Sequence, residues 1–146
     1  MEISVVLPCL NESETLGTCI KKAKNQIKKL KIKGEIIVAD NGSSDGSIKI
    51  AKKLGATVIN VKNIGYGNVL RAGIKKSKGK FILIADSDDS YNLNDLPKFY
   101  SKINKGFDII QGCRLPTGGG NIVSGAMPLS HKYIGNPLFS FLTKIL

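Results

Sequence analysis

Short apolar runs rich in β-branched residues alternate with amphipathic helical patterns along this chain. The strand-like runs begin near residues 3, 35, 56, 80 and 107. Intervals of this length suit right-handed strand–helix–strand units, because a crossover between parallel strands needs a dozen or more residues. The sequence therefore predicts an open α/β fold in which a mostly parallel sheet is flanked by helices.

The individual elements follow from local signals. Strands are predicted at residues 3–7, 35–40, 56–61, 81–85 and 107–112, and helices at 48–54, 65–78 and 94–104. A further helix is predicted to open with a capping box formed by Asn11 and Glu14. Its apolar residues share one face: Leu16, Ile20, Ala23, Ile27 and Leu30.

The composition of the chain changes after residue 115. Residues 116–127 are rich in glycine and read as a flexible loop, and residues 128–146 read as an amphipathic helix. The apolar side chains of that helix fall on one face: Ile134, Leu138, Phe141, Leu142 and Ile145. The pattern alone leaves open whether this face belongs to a core, lies in a membrane interface or contacts a partner. The pattern stops at residue 146 without a cap, as expected of a truncated chain.

The charge is strongly positive, with 22 lysines and arginines against 11 carboxylates and a net charge of +11. Only Arg71 and Arg114 are arginines, and seven lysines fall between Lys21 and Lys33. Such a stretch is either a solvated helix face or a surface attracted to anionic membranes or nucleic acid. The lack of arginine and of interleaved aromatic residues disfavours nucleic acid.

Several classes of protein are excluded or disfavoured by what the sequence lacks. No apolar run approaches the roughly 20 residues of a membrane-spanning helix, and the first residues do not resemble a signal peptide. Glycine-rich dinucleotide and P-loop motifs do not follow the first strand. Cys9, Cys19 and Cys113 lack metal-site spacing and read as reduced thiols. A cytoplasmic protein is predicted.

Carboxylates concentrate where predicted strands end. Asp40 and Asp45 follow the second strand, whereas Asp86, Asp88 and Asp89 follow the fourth. The carboxyl ends of parallel strands meet at one edge of the sheet, where open α/β folds bind ligands. Two acids spaced as Asp-x-Asp repel unless a cation intervenes, and hard oxygen ligands suit Mg²⁺ or Mn²⁺. A site for a divalent cation is predicted there.

Four blocks are similar, in order, to those of the inverting, nucleotide-sugar-dependent family 2 glycosyltransferases: residues 5–12 (VVLPCLNE), 36–47 (IIVADNGSSDGS), 63–73 (NIGYGNVLRAG) and 85–88 (ADSD). Residues 112–114 (GCR) and 127–137 (MPLSHKYIGNP) resemble the branch that glycosylates polyprenyl phosphates, relatives of dolichol-phosphate mannosyltransferase. The resemblance implies a Rossmann-like GT-A fold, with a nucleotide-sugar-binding domain at residues 1–115. The membrane interface remains one of the three placements that the pattern leaves open for the amphipathic helix at 128–146.

The resemblance further implies the site. Pro8, Leu10, Glu12 and Asp40 would surround the nucleoside, and Arg114 would contact a donor or acceptor phosphate. The donor diphosphate would be bound by Asp86, Ser87 and Asp88, and Asp86 and Asp88 would be the catalytic ligands of Mg²⁺ or Mn²⁺. The chain departs from the family pattern at Asn41, which replaces a second acid, and in lacking the later acceptor segment.

The implied function is transfer of a sugar, with inversion, from a UDP- or GDP-sugar to undecaprenyl or dolichyl phosphate. The implied location is peripheral, at the inner face of the cytoplasmic membrane, and a second chain could supply the missing acceptor half. No nucleic acid partner is expected. Two alternatives remain: a truncated fragment that binds nucleotide-sugar without catalysis, and a basic module associated with membrane or nucleic acid.

Overall fold

The computed structural model describes residues 1–113 and 128–145. Two compact units are present, Met1–Gly106 and Phe107–Leu146. Arg114, the predicted boundary at residue 115 and the predicted glycine-rich loop at 116–127 lie outside the described residues. The predicted division into domains therefore stays a prediction.

The first unit contains a four-stranded parallel sheet, which confirms the predicted α/β architecture. Its strands are β1 (Ile3–Cys9), β2 (Gly34–Asp40), β3 (Thr57–Asn60) and β4 (Phe81–Ile84), in the spatial order β3-β2-β1-β4. β1 pairs with both β2 and β4, and all seven of its residues are buried. A strand covered on both faces has to be largely apolar, which explains the uninterrupted apolar run from Val5 to Leu7.

Helices lie on both faces of this sheet. They are α1 (Leu16–Lys29), α2 (Ser47–Lys53), α3 (Tyr66–Lys76) and α4 (Leu96–Ile103), the last of which follows a 3-10 turn at Leu93–Asp95. α1 packs against α2 and α4, whereas α3 packs on β1 and β2. The chain runs from β1 through β2 to β3 in one direction and then returns past β1 to β4. Right-handed crossovers therefore place α3 on the face opposite α1 and α2.

The predicted apolar face of α1 forms the centre of the core. Leu16, Ile20 and Ala23 are fully buried, and Ile27 and Leu30 pack against the same cluster. Full burial of a leucine or isoleucine side chain stabilises a fold by about 1.5–3 kcal/mol relative to exposure. Four of the five lysines of α1 are consequently exposed on its outer side.

On the other face, α3 approaches the sheet closely at Gly73. A Cβ atom at this position would lie 2.4 Å from Cγ1 of Val6, a residue of the central strand. Any larger side chain would push α3 away from β1, so the glycine of the block at residues 63–73 is required by packing.

The sheet changes its winding direction beside β1, because β2 and β3 lie on one side of it and β4 on the other. In open parallel sheets a crevice forms at such a point, beyond the carboxyl ends of the strands. The segments that follow β1 and β4 therefore border the position where a ligand is expected.

The predicted capping box is wrong. α1 begins at Leu16, its N-cap is Thr15, and no side chain caps it. The Oδ1 of Asn11 instead accepts a hydrogen bond from the backbone N–H of Ser44, 2.8 Å away. A contact with the β2–α2 loop has thus replaced the local interaction, and residues 13–15 form a turn before the helix.

The predicted fifth strand at 107–112 is also wrong for the residues that the structure describes. Residues 107–113 form no strand, and Phe107 and Ile109 are exposed. An apolar run specifies a strand only where a neighbouring strand completes its hydrogen bonds, and no such pairing is present at these residues.

The described part of the second unit is otherwise helical, in agreement with the helix predicted at 128–146. A π-helical turn, His131–Gly135, leads into α5 (Asn136–Ile145). Leu138, Phe141 and Leu142 of the predicted apolar face are exposed. No helix among the described residues is both long enough and apolar enough to cross a membrane.

Candidate functional site

A cleft of about 260 Å³ opens at the carboxyl edge of the sheet, between the segments that follow β1 and β4. Its lining includes six of the eight predicted site residues: Pro8, Leu10, Glu12, Asp86, Ser87 and Asp88. The other lining residues are Cys9, Asn41, Tyr66 and Val69. The sequence therefore identified most of the residues that meet in this cleft, although their predicted roles stay predictions.

A larger hollow of about 390 Å³ lies elsewhere, between α1 and the amino end of β2. It is lined by Lys24, Lys28, Glu35 and neighbouring residues, and none of the predicted site residues borders it. The smaller cleft is the better candidate because it lies at the carboxyl edge and at the reversal of strand order.

The wall of the cleft after β1 is tied to the loop after β2. The backbone N–H groups of Asn11, Glu12 and Ser13 donate to Ser43 Oγ at 2.9 Å, Ser47 Oγ at 3.0 Å and Asp45 Oδ2 at 2.8 Å. These contacts hold the two loops together and so fix the position of the cleft wall.

Asp45 acts as a connector in this pair of loops. Its Oδ1 accepts hydrogen bonds from the side-chain hydroxyl of Ser47 at 2.6 Å and from the Ser47 backbone N–H at 3.0 Å. These bonds, the Ser47 hydroxyl above all, hold the pKa of Asp45 well below its usual range. A carboxylate satisfied in this way is structural, and it does not line the cleft.

Asp40 is fully buried beneath the loops at the end of β2. Its Oδ2 accepts hydrogen bonds from the backbone N–H groups of Gly42 at 2.9 Å and Ser43 at 3.0 Å. Among the described residues, its Oδ1 has no hydrogen-bond partner. An unpaired buried acceptor costs about 1–3 kcal/mol, so an external N–H donor at this oxygen would be stabilising. Asp40 does not itself line the cleft.

The Asp-x-Asp turn after β4 is held by its middle residue. Ser87 is buried, and its hydroxyl donates to the backbone carbonyl of Pro8 at the end of β1. On either side of it, Asp86 is half-buried and Asp88 is exposed. Asp88 Oδ1 accepts the backbone N–H of Ser90 at 2.9 Å. The turn therefore buries its serine and places both acids at the mouth of the cleft.

Tyr66, at the start of α3, is a cleft residue that the sequence reasoning missed. Its hydroxyl donates to Oδ1 of Asp86 at 2.7 Å, and this hydrogen bond raises the pKa of Tyr66 to about 12. The sequence feature that could have identified Tyr66 is its place as an aromatic residue inside the glycine-containing block at 63–73. The neighbouring arginine of that block, Arg71, is exposed and does not line the cleft.

The predicted metal ligands, Asp86 and Asp88, lie together at the cleft. Within the described ranges, no group of three or more histidine, cysteine or acidic side chains could enclose a metal. Two carboxylates in an open cleft nevertheless fit Mg²⁺ or Mn²⁺, because such ions commonly bind one or two carboxylates and complete their shell with substrate phosphates and water. The donor set fits a divalent cation shared with a phosphate ligand.

A parallel sheet with a cleft beyond the carboxyl ends of its strands is the arrangement in which open α/β proteins bind their ligands. Residues 4–140 match the sequence model of glycosyl transferase family 2, and the chain belongs to that family. This confirms the resemblance to the family 2 glycosyltransferases.

Two curated relatives come from Haloferax volcanii. The chain is 37% identical over 145 residues to the low-salt glycan biosynthesis hexosyltransferase Agl6, covering 99% of this chain and 33% of that protein. It is 30% identical over 145 residues to a dolichyl-phosphate hexose transferase, covering 99% of this chain and 59% of that protein. The chain thus spans between one third and three fifths of the length of these relatives.

The fold is also similar to solved structures. One is glucosyl-3-phosphoglycerate synthase from Mycobacterium tuberculosis in complex with Mn²⁺, UDP-glucose and phosphoglyceric acid. It superposes with a TM-score of 0.63 at 27% identity, covering 72% of this chain and 40% of that chain. This likeness confirms the predicted GT-A fold.

Proposed function

We propose that this chain carries the donor site of a glycosyltransferase that moves a hexose, with inversion, from a UDP- or GDP-sugar to a polyprenyl phosphate. The observation that carries the proposal is the meeting of Asp86 and Asp88 with the loop after β1 in one cleft, at the reversal of strand order. Because the chain belongs to glycosyl transferase family 2, we assign glycosyl transfer to this arrangement.

The nucleoside is assigned to the side of the cleft formed by Pro8, Leu10 and Glu12. Both uracil and guanine carry ring N–H donors, and the unpaired Oδ1 of Asp40 is an acceptor that such a donor would satisfy. Asp40 is buried below the loop, so its pairing with a base requires the loop or the base to reach it. We assign recognition of the base to Asp40 on this ground.

The diphosphate is assigned to the other side of the cleft, where Asp86 and Asp88 would share a divalent cation with it. When bound, that ion stabilises the charge that develops on the leaving diphosphate. Ser87 keeps the two acids in place through its bond to Pro8. Arg114, which lies outside the described residues, is assigned to a phosphate because the guanidinium fork suits bidentate contact.

The proposed reaction is a single displacement at the anomeric carbon. An oxygen of the acceptor phosphate forms the new bond to that carbon, and the bond to the donor diphosphate breaks as the nucleoside diphosphate leaves. A phosphate acceptor is already anionic at pH 7, so the reaction requires no strong general base. The cleft accordingly needs no histidine, and the one histidine of the chain, His131, is exposed in the second unit.

The identity of the acceptor is the most specific part of the proposal. A relative that is 30% identical is named as a dolichyl-phosphate hexose transferase, which favours a lipid phosphate. The similar solved enzyme binds phosphoglyceric acid, a small phosphorylated acid. Both are anionic phosphates, and we propose the polyprenyl phosphate because the sequence resembles that branch of the family at residues 127–137.

We also propose a peripheral position at the cytoplasmic face of the membrane. The exposed lysines of α1 and α2 form what is called here the basic face: Lys21, Lys24, Lys28, Lys29, Lys49, Lys52 and Lys53. Each lysine near an anionic membrane surface contributes about 1 kcal/mol of attraction. The exposed apolar side chains of α5, such as Leu138 and Phe141, suit the interface between headgroups and acyl chains.

Thermal unfolding with UDP, GDP and their hexose conjugates, with and without Mn²⁺, tests the donor site. A ligand at about 100 times its Kd adds roughly 2.7 kcal/mol, which is a shift of several degrees for a chain of this size. A metal-dependent shift with one nucleotide is expected. A cooperative melt that no nucleotide moves would contradict the donor site.

Transfer assays then test catalysis and the acceptor. Polyprenyl phosphate in detergent is expected to accept hexose, and phosphoglyceric acid is expected not to. Because the chain spans one third to three fifths of its relatives, nucleotide binding without any transfer would support the alternative of a non-catalytic fragment that binds nucleotide-sugar.

A further inference from the structure

The turn that carries the paired acids is held by a lysine of α1. Lys22 Nζ donates to both carboxylate oxygens of Asp89, at 2.8 and 2.7 Å, although the two residues are 67 positions apart. The side chains are 29% and 28% exposed, so the pair is partly shielded from water. Asp89 directly follows Asp88, and the ion pair therefore acts on the turn itself.

Asp89 also has an unusual backbone. Its φ is +61°, in the left-handed region that residues other than glycine rarely adopt. Such a conformation persists only where the surrounding structure holds it. The two hydrogen bonds from Lys22 supply that restraint from outside the turn.

Charge adds a second reason for the pairing. Asp86, Asp88 and Asp89 are three carboxylates within four residues, and like charges at this spacing repel. Lys22 offsets the charge of Asp89 and directs its carboxylate to α1. Asp86 and Asp88 line the cleft and Asp89 does not.

Two more residues, Thr15 and Cys19, hydrogen-bond to the turn from the same side of α1 as Lys22. The hydroxyl of Thr15 donates to the backbone carbonyl of Ser87 at 2.7 Å, and the thiol of Cys19 reaches the same carbonyl at 3.5 Å. Burial raises the pKa of Cys19 to about 11, so the thiol keeps the proton that it donates. Residues 15, 19 and 22 are spaced so that they share one face of the helix.

We propose that Lys22 is a positioning residue of the site for the metal and the diphosphate: by pairing with Asp89 it fixes the turn that carries Asp86 and Asp88. This inference rests on the proposed function. Lys22 does not line the cleft, so it acts through Asp89 and not by contact with the nucleotide. Partners that orient metal ligands from outside commonly change metal affinity by 10- to 100-fold when they are mutated.

The test compares Lys22→Met with Lys21→Met in titrations of UDP (or of GDP, if that is the nucleotide bound), with and without Mn²⁺. Both variants remove one positive charge from the same turn of α1, and Lys21 is exposed. Lys22→Met is expected to weaken Mn²⁺-dependent binding about tenfold and to leave metal-free binding unchanged. Lys21→Met is expected to stay within about twofold of the wild type, and Lys22→Arg to restore most of the loss, because arginine binds carboxylates bidentately.

A double-mutant cycle addresses the pairing directly. The single variant Asp89→Asn and the double variant Lys22→Met/Asp89→Asn are expected to lose as much Mn²⁺-dependent nucleotide affinity as Lys22→Met does. All three variants break the same interaction. Additive losses would overturn the pairing, as would wild-type metal-dependent affinity in Lys22→Met. Equal losses with and without metal would also overturn it, since they would indicate general damage to the fold. If the wild type binds no nucleotide at all, the donor site itself fails and this inference fails with it.

Discussion

The carboxyl edge of the sheet and the basic face carry opposite charges within one compact unit. α1 and α2 contain no carboxylate, whereas five aspartates lie at the end of β2 or in the segments after β2 and β4: Asp40, Asp45, Asp86, Asp88 and Asp89. The acids at the edge are held by hydrogen bonds from neighbouring loops and helices. The lysines lie on exposed helix surfaces. The net charge of +11 is therefore distributed unevenly, with lysines on the two helices and aspartates at the carboxyl edge.

The largest effect is expected from removing an acid at the edge. Asp88→Asn should weaken Mn²⁺-dependent nucleotide binding by more than about 100-fold, because mutating outer partners of metal ligands already costs 10- to 100-fold. Calorimetric titration measures the loss. Glu2→Gln, at the amino end of β1 and therefore at the opposite edge of the sheet, is the matched control and should bind as the wild type does. Equal losses of nucleotide affinity in Asp88→Asn and Glu2→Gln would mean that the carboxyl edge of the sheet has no special role in binding.

The basic face should respond to a different ligand. Replacing Lys28, Lys29 and Lys52 with glutamine should weaken binding to vesicles that contain anionic lipid by about 100-fold, at roughly 1 kcal/mol for each lysine. Cosedimentation at low and physiological salt measures this. Nucleotide binding should not change.

The matched control for the vesicle experiment removes the same charge from the other side of the sheet. Lys75, Lys76 and Lys78 are exposed on or just after α3, which lies on the face opposite α1 and α2. Glutamine at these three positions should have a smaller effect. Identical losses would show that net charge governs binding and that the basic face has no particular role.

A smaller effect is expected at Asp40. Asp40→Asn should reduce nucleotide affinity about tenfold whether or not Mn²⁺ is present, because a hydrogen bond to a charged acceptor is worth about 1.5–3 kcal/mol. Because the loss of affinity in Asp40→Asn should not depend on Mn²⁺, it distinguishes Asp40 from Asp86 and Asp88, whose effect should depend on the metal. Asp108→Asn, at an exposed position, is the control. A loss that appears only with metal would place Asp40 with the diphosphate instead.

The smallest effect concerns Tyr66. Its ordinary pKa is 10.0, and the bond to Asp86 raises it to about 12 in the folded chain. The contribution to stability is therefore complete below pH 10 and is lost as the pH rises towards 12. Denaturant unfolding of Tyr66→Phe should lack this loss, so the stability difference between wild type and variant should shrink from pH 10 to 12. A constant difference would mean that the bond does not favour the neutral phenol.

Most of the fold and of the cleft could be predicted from sequence because both depend on periodic or topological rules. The apolar face of α1 repeats with the helical period, and four predicted strands are present. Asp86 and Asp88 could be placed beside the end of β1 because parallel strands end at the same edge.

The misses share one physical cause, which is contact between residues far apart in sequence. Asn11 accepts from Ser44 in place of forming a capping box. The Lys22–Asp89 pair joins residues 67 positions apart, and no local pattern specifies it. The run at 107–112 has strand composition, but composition cannot supply the neighbouring strand that pairing requires.

The central place of β1 has a consequence for synthesis of the chain. β1 is made before the other three strands of the described sheet, yet its partner β4 begins at Phe81. A ribosome adds about 5–20 residues each second, so one edge of β1 waits several seconds for its neighbour. During that interval an apolar strand exposes unpaired backbone groups, which are a template for aggregation. The nascent chain is therefore expected to need chaperone protection until β4 has emerged.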